Sequence, residues 1–175
     1  MALTFLLGGA RSGKSELAVR LAAADARPVV VVVTAEPGDD EMAERIRRHR
    51  QERPAGWSTI ETPLELAAAV RRPPPEAAVI VDCLTLWVAN AMEWGADEGE
   101  IVREADDVAS ALAGRAAPAV VVSNEVGLGI VPVNDLARRY RDVLGRVNTT
   151  VASRADRAYL VVAGRALPLE DVTLT

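Results

Sequence analysis

The chain has 175 residues, 50% of them apolar but only 3% aromatic, and carries a formal net charge of −5 with a single cysteine, Cys83. That length fits one domain, residues 1–175, whose core must be built from Val, Leu, Ile and Ala. The acidic balance speaks against nucleic-acid binding driven by phosphate neutralisation, and one cysteine leaves no internal disulfide.

Taken in chain order, Leu3 to Leu7 is a short apolar run that lacks the basic start and the length of a signal peptide. With Val29 to Val33 also too short to span a membrane, the chain reads as a soluble cytoplasmic protein. The first run continues into Gly8-Gly9-Ala10-Arg11-Ser12-Gly13-Lys14-Ser15, which fits G-x-x-x-x-G-K-[ST] without a mismatch and sits between a strand-like and a helix-like run. Glycines let successive N–H groups curl around a phosphate, and the helix N-terminus adds partial positive charge. Lys14 is expected at the β- and γ-phosphates of a nucleoside triphosphate and Ser15 on Mg²⁺. Of the 20 Lys and Arg residues, Lys14 alone is lysine, the compact ammonium that suits a crowded loop better than a planar guanidinium.

Leu17, Leu21 and several alanines predict a helix from Ser15 to about Ala24. Val29 to Val33, apolar at every position, predicts a strand buried on both faces, and Val79 to Val81, Ala119 to Val122 and Tyr159 to Val162 follow at helix-length intervals. Strand alternating with helix implies an α/β fold with a mostly parallel central sheet, helices on both faces, and a short antiparallel C-terminal edge strand over Ala166 to Leu169. Ile101, Ala105, Val108 and Leu112 form one helical stripe, and Leu136, Tyr140, Val143, Val147 and Val151 form another; both read as core faces. Glu93 to Glu100 is a polar break on the surface, and Arg71-Arg72-Pro73-Pro74-Pro75 a short loop.

Three further stretches carry chemistry. Asp82 ends an apolar strand, where a phosphate-loop protein places a second Mg²⁺-orienting group, although a strand-end Asp also serves as a helix cap. Asp39 to Arg53 is acidic at its start and basic at its end, as a surface helix would be. Its His49, the sole histidine, lies at i+7 from Met42 and i+3 from Ile46, on the apolar stripe. It is either a satisfied core residue or, flanked by Arg45, Arg48, Arg50 and Arg53, a base or nucleophile beside a polyphosphate pocket. Ser123 to Pro132 follows a buried strand with Asn124, Glu125 and glycines; it is either an ordinary loop or part of a site at the sheet's carboxyl edge.

The phosphate loop, Asp39 to Met42 with Arg45, Ile46 and His49, Asp82 to Val88 with Asn90, and Asn124 to Gly127 with Gly129 to Pro132 together resemble the adenosylcobinamide kinase / adenosylcobinamide-phosphate guanylyltransferase family. Arg138, Arg141-Asp142 and Gly145 to Asn148 extend the resemblance, while Thr149 stands where glutamine is expected. The resemblance implies a RecA-like P-loop NTPase fold, a homotrimer, and two reactions of late cobalamin biosynthesis. In one, ATP or GTP phosphorylates adenosylcobinamide. In the other, a histidine takes GMP from GTP as a guanylyl-histidine and passes it to adenosylcobinamide phosphate. Carried onto this chain, the nucleophile is His49, with nucleotide contacts at Gly8 to Ser15, at Thr34, Ala35 and Glu36, at Arg50, Gln51, Glu52 and Arg53, and at Glu61 and Asp82. Two other readings stay open on the phosphate loop alone: a small-molecule kinase with no nucleotidyl transfer, and a RecA-like nucleotide switch or ATPase.

Overall fold

A computed structural model describes residues 3–35, 44, 47 and 53–171. The strands are β1 (Leu3–Gly8), β2 (Val29–Val33), β3 (Ser58–Glu61), β4 (Ala78–Asp82), β5 (Ala119–Asn124), β6 (Arg157–Val162) and β7 (Arg165–Leu169). The helices are α1 (Lys14–Ala22), α2 (Leu66–Ala69), α3 (Leu84–Glu93), α4 (Glu98–Ala113) and α5 (Asp135–Arg154). The strands form one 7-stranded sheet in the order β3-β2-β4-β5-β1-β6-β7, parallel throughout except for the antiparallel β6–β7 hairpin. The expected C-terminal edge strand is therefore β7. Its hairpin turn has left-handed backbone at Ala163 (φ 51°) and Gly164 (φ 75°), the type I′ geometry that matches the twist of two-residue hairpins.

The valine-rich runs are buried on both faces because both faces are covered. Phe5, Val32, Val79, Val81 and Val121 join the core under α2 to α5, whereas Leu6, Val31, Val33, Ile80 and Val122 pack with Ala18 and Ala22 of α1 on the other side. Period-2 alternation thus sends successive apolar residues into two cores, each fully buried Val or Leu contributing about 1.5–3 kcal/mol over exposure. The largest fully buried side chain, Trp87, finds a partner for its indole Nε1–H at the Leu64 carbonyl, 2.8 Å away.

Several expectations change in detail. The first helix begins at Lys14 and ends at Ala22, and it buries Ala18 and Ala22 while Leu21 is 39% exposed, because small residues let the helix sit close on the sheet. In the α5 stripe Val143, Val147 and Val151 are buried and Tyr140 half-buried, but Leu136 is 68% exposed. Leu136 lies in the first turn, just after the Asn134 cap whose side chain accepts from Ala137 N–H at 2.7 Å, and no element among the described residues covers it. The polar break at Glu93 to Glu100 ends α3 and starts α4 through a reciprocal capping box between Asp97 and Glu100. Among the described residues, no helix is long and apolar enough to cross a membrane.

Candidate nucleotide site

Gly8 closes β1 against a wall. A Cβ there would lie 2.3 Å from the Val161 carbonyl oxygen of β6, a backbone atom that cannot step aside, so only glycine fits. The loop then turns through Arg11 (φ 57°) and Gly13 (φ 102°), both left-handed, with Ser12 N–H returning to the Gly9 carbonyl at 3.3 Å. Lys14 is buried, and its ammonium lies inside the loop, donating to the carbonyls of Gly8 (2.9 Å) and Gly9 (2.6 Å) and to Ser12 Oγ (3.4 Å). Gly13 is the N-cap of α1 and has no side chain to occupy the helix's first N–H groups, which leaves that end suited to an anion.

The strand register lines up the other expected contacts on the same carboxyl edge. Val33 pairs with Glu61 on one side and Asp82 on the other, Asp82 pairs with Val122, and Gly8 pairs with Asn124. Ser15 follows Lys14 in the first turn of α1, so Gly8, Gly9, Ala10, Arg11, Ser12, Gly13, Lys14, Ser15, Thr34, Ala35, Glu61 and Asp82 are all at or just past strand ends on one side of the sheet. Thr34 is fully buried. Its hydroxyl donates to the Cys83 carbonyl (2.7 Å) and accepts from Cys83 N–H (3.2 Å), and its own carbonyl accepts from Asn90 Nδ2 at 2.9 Å. What Thr34 supplies is a splice between the ends of β2 and β4 that sets the direction in which the chain leaves Asp82.

Beyond β5, Asn124 and Glu125 lead into a loop that lies against the phosphate loop. Glu125 N–H donates to the Gly8 carbonyl at 3.1 Å, so the segment lies directly against the phosphate loop. It is held from behind by buried polar groups: Ser123 Oγ donates to Asn148 Oδ1 (2.6 Å), Asn148 Nδ2 donates to the Asn124 carbonyl (3.1 Å), and Asn124 N–H donates to Thr85 Oγ1 (2.9 Å). Tyr140 completes the frame by donating its hydroxyl to the Thr85 carbonyl at 3.1 Å. Burial, with the nearby Cys83 thiol adding, pushes the Tyr140 phenol up to about 12. The Cys83 thiol is itself pushed up by burial and then by the Asp82 carboxylate.

Some expected residues fall elsewhere. Glu36, His49, Arg50, Gln51 and Glu52 lie outside the described residues. Within the same charged stretch, Glu44 and Arg47 are exposed and paired at 2.6 Å, as a surface helix would have them. Arg53 is half-buried and donates to Thr59 Oγ1 of β3 at 3.1 Å. Thr149, the departure from the family pattern, is exposed and back-bonds to the Gly145 carbonyl at 3.0 Å, pointing away from Asn148 and the β5 end. The contacts that no spacing announces are those of Val161, Gly164 and Thr85 with the loop and its neighbour.

Comparison with known proteins adds chemistry to this geometry. Solved structures similar to this chain include the ATPase EscN of the enteropathogenic E. coli type III secretion system, with a TM-score of 0.64 at 12% identity, covering 93% of this chain and 43% of that one. Another is the PH0250 protein of Pyrococcus horikoshii, with a TM-score of 0.56 at 8% identity, covering 98% and 87%. These likenesses show the α/β fold alone. The bifunctional adenosylcobalamin biosynthesis protein CobP of Pseudomonas aeruginosa is 43% identical over 170 residues, 97% of this chain and 98% of that protein. The bifunctional adenosylcobalamin biosynthesis protein CobU of Salmonella typhimurium is 39% identical over 175 residues, 93% of this chain and 96% of that one. Residues 4–169, from the first strand to the last, match the family model described as cobinamide kinase / cobinamide phosphate guanyltransferase, and the chain belongs to that family.

Proposed function

We propose that this single-domain chain performs both reactions its family name contains, with the phosphate loop binding the triphosphate for each. In the kinase step, the hydroxyl oxygen of adenosylcobinamide attacks the γ-phosphorus of ATP or GTP, the bond to the β-phosphate oxygen breaks, and the hydroxyl proton passes to solvent or a base. In the transferase step, an imidazole nitrogen of His49 attacks the α-phosphorus of GTP and pyrophosphate leaves. A phosphate oxygen of adenosylcobinamide phosphate then attacks the same phosphorus and breaks its bond to nitrogen, giving adenosylcobinamide-GDP. The observation that carries the reading is full-length family membership on a chain whose phosphate loop is complete and framed.

The roles assigned to individual residues follow from this. Lys14 leaves the Gly8 and Gly9 carbonyls for the phosphates, and the backbone from Gly9 to Ser15 supplies N–H donors. Ala35, Glu36, Arg50, Gln51, Glu52, Arg53 and Glu61 are proposed as nucleotide contacts, with Thr34, whose hydroxyl and carbonyl are taken up by Cys83 and Asn90, positioning the end of β2 beneath them. Ser15 and Asp82 offer a hydroxyl and a carboxylate, hard oxygen donors that suit Mg²⁺ when phosphate oxygens and water complete its octahedron. Bound there, Mg²⁺ would neutralise charge on the phosphates. Assembly as a homotrimer in the cytoplasm belongs to the same proposal. Self-association draws support from Leu128, Ile130, Val131, Val133 and Leu136, apolar residues that are exposed in succession between the end of β5 and the first turn of α5.

The test is incubation with α-labelled GTP. The protein is expected to take up acid-labile, alkali-stable label, and His49→Ala should abolish labelling while sparing phosphorylation of adenosylcobinamide. Label persisting on the variant would remove His49 from the mechanism. Kinase activity without any labelling of the wild type would favour a plain kinase.

A further inference from the structure

We propose that the tip of the β6–β7 hairpin fixes the phosphate loop in its nucleotide-binding shape, with Gly164 as the positioning residue. The inference rests on the reading of Gly8 to Ser15 as the nucleotide site. Gly164 N–H donates to the Ser12 carbonyl at 2.8 Å, the hydrogen bond by which the hairpin reaches into the loop. A trans peptide unit points its C=O and N–H in opposite directions, so drawing Ser12 C=O toward the hairpin turns Gly13 N–H away from it, toward the mouth of the loop. The same logic acts at the other end. Glu125 N–H holds Gly8 C=O at 3.1 Å, which turns Gly9 N–H the opposite way. The carbonyls of Ser12 and Gly8 are thus both held by donors from outside the loop, and the N–H that the hairpin bond frees for an anion is that of Gly13.

The fit leaves little play. A Cβ on Gly13 would lie 3.1 Å from Gly164 Cα, and one on Gly8 would strike the Val161 carbonyl, so hairpin and loop meet backbone to backbone at both points. The hairpin is itself anchored, because β6 pairs in parallel with β1 from Thr4↔Arg157 to Leu7↔Leu160, directly below the loop. Gly164 presents its N–H from left-handed backbone (φ 75°), and a Cβ there meets nothing within 4 Å, so substitution acts through backbone conformation rather than through a clash.

This separation makes the role testable. Equilibrium titration of the full chain with a fluorescent GDP analogue and Mg²⁺ should show the dissociation constant of Gly164→Ala raised about fivefold to thirtyfold, the factor set by the left-handed penalty of an L-residue. Gly164→Val should be weaker still, and Gly164→Asn, which tolerates the conformation and keeps the N–H, should stay within about twofold of wild type. A merely structural role predicts a lower melting temperature and fewer binding sites per chain, with the affinity of the folded fraction unchanged; that outcome, or equal affinities for Gly164→Ala and wild type, overturns the proposal. If Gly164→Val does not fold, the Ala and Asn variants decide. A wild type that binds no nucleotide would overturn the nucleotide-site reading, and this inference with it.

Discussion

Asn148 offers a sharp test of whether the buried polar frame behind Asn124 is as cooperative as it looks. Its amide accepts from Ser123 Oγ at 2.6 Å and donates to the Asn124 carbonyl at 3.1 Å, with Ser123 fully buried and Asn148 6% exposed. Asn148→Ala leaves both partners without that bond in a place water reaches poorly, at about 1–3 kcal/mol for each group, so a loss of about 3 kcal/mol is expected once a small cavity is included. That corresponds to a fall in melting temperature of about 6–12 °C for a chain of this size. Ser123→Ala leaves only the Asn148 oxygen unmet and should cost about 1–2 kcal/mol. Because the Ser123–Asn148 bond can be lost only once, the double variant should be less destabilised than the sum of the singles by about 1 kcal/mol. Urea denaturation of the four proteins measures this directly. Additivity within about 0.3 kcal/mol would refute the coupling and make the two groups independent polar residues that happen to be close.

Two further outcomes follow from groups off the phosphate loop. Tyr140 has an ordinary value of 10.0 raised to about 12 in the folded chain, so the native state holds the proton longer than the unfolded one; stability is fully present below pH 10 and is lost as pH rises toward 12. The Cys83 shift has the same sign, beginning above its ordinary 9.0. Because Tyr140 keeps part of its surface in water, the expected loss is about 1–2 kcal/mol, and urea midpoints measured across that range should flatten in Tyr140→Phe. Arg115 donates to the carbonyls of Pro73 (3.4 Å), Pro74 (2.6 Å) and Ala77 (2.9 Å), stitching the proline loop to the end of α4. Arg115→Met keeps the stem and loses the donors, which should cost about 2 kcal/mol in urea denaturation, with Lys restoring only part of it because an ammonium does not span the fork.

Burial and period decided how much of this was legible in the sequence. The five valines of β2 could be read as a doubly buried strand because every position is apolar, and the register then carries Asp82 and Glu61 to the same edge as Gly8. β3 escaped notice because Ser58-Thr59-Ile60-Glu61 is short, polar at three of its four positions and at the sheet edge. α3 escaped because apolar Leu86, Ala89 and Met92 flank the buried stripe of Leu84, Trp87, Val88 and Ala91, so the sequence is apolar around most of the helix and its period is blurred. Leu136 fits the α5 period yet is exposed, since period describes the helix alone and not where its neighbours stop. The loop motif was plain, but the atoms that hold it, Val161 O, Gly164 N–H and Glu125 N–H, are backbone atoms from distant parts of the chain, and backbone contacts leave almost no trace in residue identity.

That hidden support bears on how one loop can serve two reactions. Left-handed backbone at Arg11 is unfavourable by itself, unlike that at Gly13, and persists because the surroundings over-determine it: a carbonyl wall at Gly8, amide donors on Gly8 O and Ser12 O, and the Lys14 ammonium from within. A cradle held in this way before a ligand arrives loses little conformational entropy on binding, so its affinity depends on the scaffold more than on induced closure. Under the proposed pair of reactions the γ-phosphorus is attacked in one and the α-phosphorus in the other, while the loop grips the triphosphate in the same place. A rigid cradle cannot choose between them. The choice must then lie with what approaches it, a corrinoid hydroxyl at the terminal phosphate or an imidazole at the first, so a hairpin substitution that loosens the loop, Gly164→Ala, should weaken nucleotide binding in both reactions alike, whereas His49→Ala should separate them.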